Sequence, residues 1–121
     1  MFPISSTLKF YLYSQPTDMR KGFDGLSGLV VSGMKRDPLS GDVYLFINRR
    51  RDRMKLLIWD RTGYWILYKR LEKGRFQLAG NPSSPGGIPL SYESIIMLLE
   101  GVDIMQIKRR KRYILPANNI A

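Results

Sequence analysis

Val43-Tyr44-Leu45-Phe46-Ile47, Leu56-Leu57-Ile58-Trp59 and Tyr64-Trp65-Ile66-Leu67-Tyr68 are three apolar runs that share residues 42–76 with two polar connections, Arg49-Arg50-Arg51-Asp52-Arg53 and Asp60-Arg61-Thr62-Gly63. Aliphatic and aromatic runs of this length, bounded by turn residues, read as buried or half-buried strands. Joined by short connections they form an antiparallel meander. If the first strand runs up, the arginine-rich connection lies at the top and the Asp60–Gly63 turn at the bottom. The third strand then carries Lys69, Arg70, Lys73 and Arg75 back to the top edge. Two basic clusters distant in sequence are therefore expected at one end of one sheet.

Working outward, residues 8–13 alternate Leu8, Phe10 and Leu12 with Lys9, Tyr11 and Tyr13, the period-two pattern of a strand. Pro16 ends it, because proline cannot donate to a ladder. Thr17 or Asp18 is positioned to cap a helix over residues 19–35, with Met19, Phe23, Leu26, Val30 and Met34 as its apolar stripe. Gly22, Gly25 and Gly28 within that helix suggest close packing against a strand, or free amides that join Arg20 and Lys21 in holding a phosphate. Asp37-Pro38-Leu39-Ser40-Gly41 reads as the turn into the meander. After Phe76, residues 80–87 are rich in breakers and read as an exposed loop. Ser91 is an N-cap for a second helix, with Ile95, Leu98, Leu99 and Val102 as its stripe, a Leu90–Ile95 staple and Gly101 as its stop. The expected fold is α+β: an antiparallel meander sheet with two helices packed on one face, in a single domain over residues 1–121. Residues 108–121, which begin with a basic run, read as an edge strand or a flexible arm.

A chain of 121 residues is long enough to bury about two thirds of its unfolded surface around one core. Its 44% hydrophobic and 25% charged residues are those of a globular protein rather than a disordered one. Twenty Lys and Arg against ten Asp and Glu give a formal charge of +10. Fourteen of those cations fall within residues 49–55, 69–75 and 108–112, and such clustering points to a polyanionic partner, nucleic acid above all. Cysteine and histidine are both absent, which excludes disulfides, Cys/His zinc sites and histidine-based triads. The first residues lack a signal pattern and no apolar run reaches membrane-span length, so no membrane association and a cytoplasmic location are expected.

Catalysis would have to rest on other groups. Metal-dependent cleavage needs convergent carboxylates, and the candidates are Asp18, Asp24, Asp37, Asp52, Asp60 and Glu72. Asp18 and Asp24 share no helical face, Asp60 and Glu72 belong to opposite ends of the meander, and Asp52-Arg53-Met54-Lys55 is one residue too long for the acidic-x-Lys element of many nucleases. Capping, turn formation and pairing with arginine are the ordinary uses of such acids, so no catalytic residue, metal or cofactor is expected. Binding is better supported, because arginine forks match phosphate oxygens bidentately. The candidate DNA-binding residues are Arg49, Arg50, Arg51, Arg53, Lys69, Arg70, Lys73 and Arg75, followed by Arg20 and Lys21. Tyr64, Trp65, Tyr68 and Phe76 are able to stack on unpaired bases, although aromatics at strand positions more often pack across strands.

Four ordered blocks carry a family resemblance. They are Thr17-Asp18-Met19-Arg20-Lys21-Gly22-Phe23-Asp24-Gly25-Leu26, Asp37-Pro38-Leu39-Ser40-Gly41, Phe46-Ile47-Asn48-Arg49-Arg50-Arg51-Asp52-Arg53-Met54-Lys55 with Trp59-Asp60, and Tyr68-Lys69-Arg70-Leu71-Glu72-Lys73-Gly74-Arg75-Phe76. In that order they resemble the TnpB accessory proteins of the sixty-six family of bacterial insertion sequences, and the likeness extends through Leu98-Leu99-Glu100-Gly101. These share only a name with the RNA-guided nucleases called TnpB. The resemblance implies an accessory role in DNA transposition beside an element-encoded transposase that performs strand transfer; it brings no catalytic residues with it. The chain departs from the family pattern after Phe76, where Gln77-Leu78 stands in place of a common Trp-Pro pair. Two other functions are to be weighed against DNA binding: an adaptor docking on the transposase, and a metal-dependent nuclease.

Overall fold

A computed structural model describes residues 5–78 and 86–100. The elements are β1 (Phe10–Leu12), α1 (Phe23–Ser32), β2 (Val43–Ile47), β3 (Arg53–Trp59), β4 (Tyr64–Arg70), β5 (Ile88–Leu90) and α2 (Tyr92–Glu100). The five strands form one sheet in the order β4-β3-β2-β1-β5. β2, β3 and β4 are the expected antiparallel meander, with Leu45 opposite Leu56 and Leu56 opposite Leu67. β1 lies parallel to β2, with α1 as the crossover, and β5 closes the far edge antiparallel to β1. The class is α+β with a mostly antiparallel sheet.

The two helices cover opposite faces, which corrects the expectation that both pack on one. Leu26, Val30 and Met34 of the α1 segment bury with Tyr44, Phe46 and Leu57. Ile95 and Leu98 of α2 bury with Val43, Leu45, Ile47, Leu56 and Phe76 on the other side. The cause is visible in β2, whose five residues are all buried, aliphatic or aromatic, and uncharged. A strand that is apolar on both sides of its pleat requires a layer on each. The buried Tyr44 hydroxyl is satisfied by donating to the Asp37 carbonyl at 3.0 Å, and burial pushes its pKa up.

Three local expectations also change. α1 begins at Phe23 behind Gly22, with no side-chain cap, rather than near residue 19. Thr17 is buried, and its amide donates to the Ile47 carbonyl at 2.9 Å, carrying the β1 path past Pro16. The helix glycines are not packing contacts: a Cβ on Gly22 or Gly28 would meet nothing within 4 Å, and one on Gly25 only the Lys21 side chain. The close approach occurs at Gly33, where a Cβ would lie 2.8 Å from the Tyr13 ring and 2.9 Å from the Leu29 carbonyl oxygen. β5 was hidden by Pro89, which an edge strand tolerates.

Ser91 caps α2 as expected, its hydroxyl accepting from the Ser94 amide at 3.1 Å, and Leu90 joins Ile95 in the same core. The 108–121 segment, the Gly101 stop and residues 80–85 of the breaker-rich loop lie outside the described residues. Among the described residues no helix is long and apolar enough to cross a membrane.

Candidate nucleic-acid interface

The β2–β3 connection is organised by Asn48. Its side-chain oxygen accepts from the amides of Asp52 and Arg53, both at 3.0 Å, while its side-chain amide donates to Asp52 Oδ1 at 2.8 Å. The Arg51 amide closes the turn on the Asn48 carbonyl at 3.0 Å. That hydrogen bond from Asn48 holds the Asp52 carboxyl below its ordinary pKa. With the acid engaged inside the loop, Arg49, Arg50 and Arg51 remain on its exposed rim. Arg51 adopts φ +62°, a left-handed conformation that costs a non-glycine residue about 1–2 kcal/mol.

The second basic segment is fastened to this loop by the backbone. The Leu71 amide donates to the Asp52 carbonyl at 2.8 Å and the Phe76 amide to the Arg51 carbonyl at 2.7 Å. The Phe76 ring is fully buried. Lys73 and Arg75, both exposed, sit on the short excursion between these two anchors. Arg53 and Arg70 are direct cross-strand partners. The 49–53 and 69–75 clusters thus meet at one end of the sheet.

The loop before α1 joins them. Pro16, Thr17, Asp18, Met19, Asn48, Arg49 and Arg50 line one open concavity of about 490 Å³, and Lys55 Nζ donates to the Lys21 carbonyl at 2.8 Å. Arg20 is less free than its neighbours: Asp18 pairs with it at 2.7 Å and accepts its backbone amide at 2.9 Å. Those hydrogen bonds lower the Asp18 carboxyl to about 2. Arg70 is paired with Glu72 at 2.8 Å, both side chains being exposed. Among the described residues these are the two ion pairs within 4 Å.

Lys69 points away from its neighbours. Strand alternation sends it to the α2 face, where its ammonium donates to the Leu99 carbonyl near the end of that helix. Arg53, Lys55, Tyr68 and Arg70 occupy the α1 face. Arg53 donates to the Tyr68 hydroxyl at 3.3 Å, which raises the arginine pKa further, and Lys55 lies 4.8 Å from the Tyr68 ring centroid. Lys55 lies in the same patch although it is not among the candidates named from the sequence; its place in the 49–55 cluster and its even spacing from Arg53 are the signal for it. Arg36, in contrast, is structural: it stacks 3.6 Å over Tyr11 and donates to the Gly86 carbonyl at 2.6 Å.

The acids have local occupations. Asp60 accepts from Trp65 Nε1 at 2.6 Å and from Thr62, and the Trp65 bond lowers its pKa; Asp37 accepts from the Leu39 amide at 2.9 Å. Among the described residues no three carboxylates come together.

Comparison with known proteins places the chain. Residues 8–109 match the family model TnpB_IS66, described as IS66 Orf2 like protein. The relatives include two uncharacterized proteins of Sinorhizobium fredii (strain NBRC 101917 / NGR234). With y4jC it is 35% identical over 106 residues, 88% of this chain and 89% of that one. With y4hO it is 34% identical over 104 residues, 85% and 88% of the two chains. No solved structure matches. The chain belongs to the IS66 Orf2-like family, a family of insertion-sequence accessory proteins.

Proposed function

We propose that this protein serves transposition as a non-catalytic DNA-binding accessory in the bacterial cytoplasm, contacting phosphates through the edge built from residues 49–55 and 70–75. What carries the reading is the pair of backbone hydrogen bonds, Leu71 to Asp52 and Phe76 to Arg51, that hold two cationic segments on one exposed end of the sheet. Arg49, Arg50, Arg51, Arg53, Arg70, Lys73 and Arg75 form the contact set, with Lys21 and Lys55 flanking it. Arg20 contributes less while Asp18 holds it, and Lys69 contributes least because it faces α2.

Engagement of about six phosphates gives a log–log salt slope near −5, and a loss of roughly a thousandfold in affinity between about 50 and 200 mM salt. The test is a mobility-shift titration at two salt concentrations with the wild type and an Arg50→Glu/Arg51→Glu variant. The variant is expected to keep its fold, since both side chains lie on the exposed loop, and to lose most of its binding. Unchanged affinity removes this surface. An association with the transposase that survives nuclease treatment, without DNA binding by the protein alone, supports the adaptor function instead.

A further inference from the structure

We infer that the α1 face of the β3–β4 ladder is a single-stranded DNA platform on which Tyr68 stacks an unpaired base between cations that hold the flanking phosphates. This rests on the reading that the basic edge binds DNA, and adds the form of DNA it prefers.

Tyr68 stands apart from the other residues on its face of β4. On the same face of β4, Tyr64 and Ile66 pack against the core beneath α1, whereas Tyr68 belongs to neither core cluster and remains 51% exposed. A ring with no packing role on an open sheet face is normally mobile. Here two cations hold it: Lys55, its direct cross-strand partner, lies over the ring at 4.8 Å from its centroid, and Arg53 donates to its hydroxyl. Lys55 is itself anchored by the Lys21 carbonyl, so the support does not depend on one long free side chain.

The surroundings favour an anion. Arg53 and Arg70 are opposed directly across the ladder, an arrangement that is unfavourable for like charges, and Glu72 is the one carboxylate paired at this site among the described residues. A phosphate beside Arg53 and Arg70 relieves that repulsion. A base on the open side of Tyr68 covers apolar surface that the fold leaves in water. An aromatic face flanked by cations is the arrangement that binds single strands, because every base offers a π-face and every linkage a charge. Duplex DNA keeps its bases stacked inside and has access only to the cations.

The experiment compares an oligothymidylate of about 20 nucleotides, a length that exceeds a typical single-strand site, with a duplex of equal length. The proteins are the wild type, Tyr68→Ala, Tyr68→Leu and Tyr68→Phe, each checked for its thermal transition. Tyr68→Ala and Tyr68→Leu are expected to weaken single-strand binding about tenfold and leave duplex binding unchanged. Tyr68→Phe, which keeps the ring and loses the Arg53 hydrogen bond, is expected to bind the single strand nearly as the wild type does. Tyr68→Leu preserves apolar bulk, so its loss isolates the π-face from simple packing. Salt-dependent duplex binding with no selective loss in the Ala and Leu variants overturns the platform and leaves the phosphate-binding edge standing. No binding to either DNA overturns both.

Discussion

The amide of Phe76 donates to the carbonyl of Arg51 at 2.7 Å, and the ring behind that amide is fully buried. One residue therefore seals the α2-side core and fixes where the second basic segment returns to the first. Phe76→Ala is expected to cost about 3–5 kcal/mol, a large share of a small domain's stability. Chemical denaturation measures the loss. Any folded fraction should also bind DNA less well than the wild type, because Lys73 and Arg75 lose their fixed position.

Arg51 sits in left-handed backbone at φ +62° although glycine would do so without strain. Arg51→Gly is expected to raise stability by up to about 1 kcal/mol, the relief of strain being offset in part by glycine's greater freedom when unfolded. DNA affinity should fall, with the salt slope shallower by about one unit for the lost phosphate contact. A variant both less stable and unchanged in binding contradicts this account of the loop.

Asp18 and Arg20 form the best-defined ion pair beside the site, and both side chains are exposed. The Asp18 pKa is lowered in the folded state, so its contribution to stability is present above the ordinary carboxyl value of 3.8 and is lost as pH falls through about 2. A carboxyl NMR titration should find that midpoint, and Arg20→Ala should return it toward the ordinary value. At neutral pH, Asp18→Asn frees the Arg20 guanidinium. It is expected to tighten DNA binding and steepen the salt slope by about one unit.

Gly28 and Gly33, at the middle and end of the same helix, should respond oppositely to alanine. Nothing lies within 4 Å of a Cβ on Gly28, so Gly28→Ala is expected to stabilise by about 1 kcal/mol through helix propensity alone. Gly33→Ala places a methyl 2.9 Å from the Leu29 carbonyl oxygen and 2.8 Å from the Tyr13 ring, and is expected to cost about 1–3 kcal/mol. Thermal unfolding of the two variants checks the close approach of the α1 C-terminal end to Tyr13, the residue after β1.

The α+β class, the β2-β3-β4 meander and the meeting of two basic clusters at one end were legible in the order of apolar runs and charged connections. Those features follow from strand periodicity and from short connections that leave consecutive strands antiparallel neighbours. The doubly buried β2 was legible too, in the fully apolar Val43–Ile47, and its consequence of one helix per face became evident only once both layers were in place. Which cations act together was decided by the tertiary structure. Lys69 and Arg70 are adjacent in sequence and diverge in space because side chains alternate across a strand. Arg20 is held by Asp18, Arg36 is spent on Tyr11 and Gly86, and Lys55 is brought over Tyr68 by the β3–β4 register. Sequence sets how much charge the chain carries and roughly where along it. Backbone register and local hydrogen bonds set which of those charges remain free to meet a phosphate, because partners distant in the chain become neighbours only when it folds.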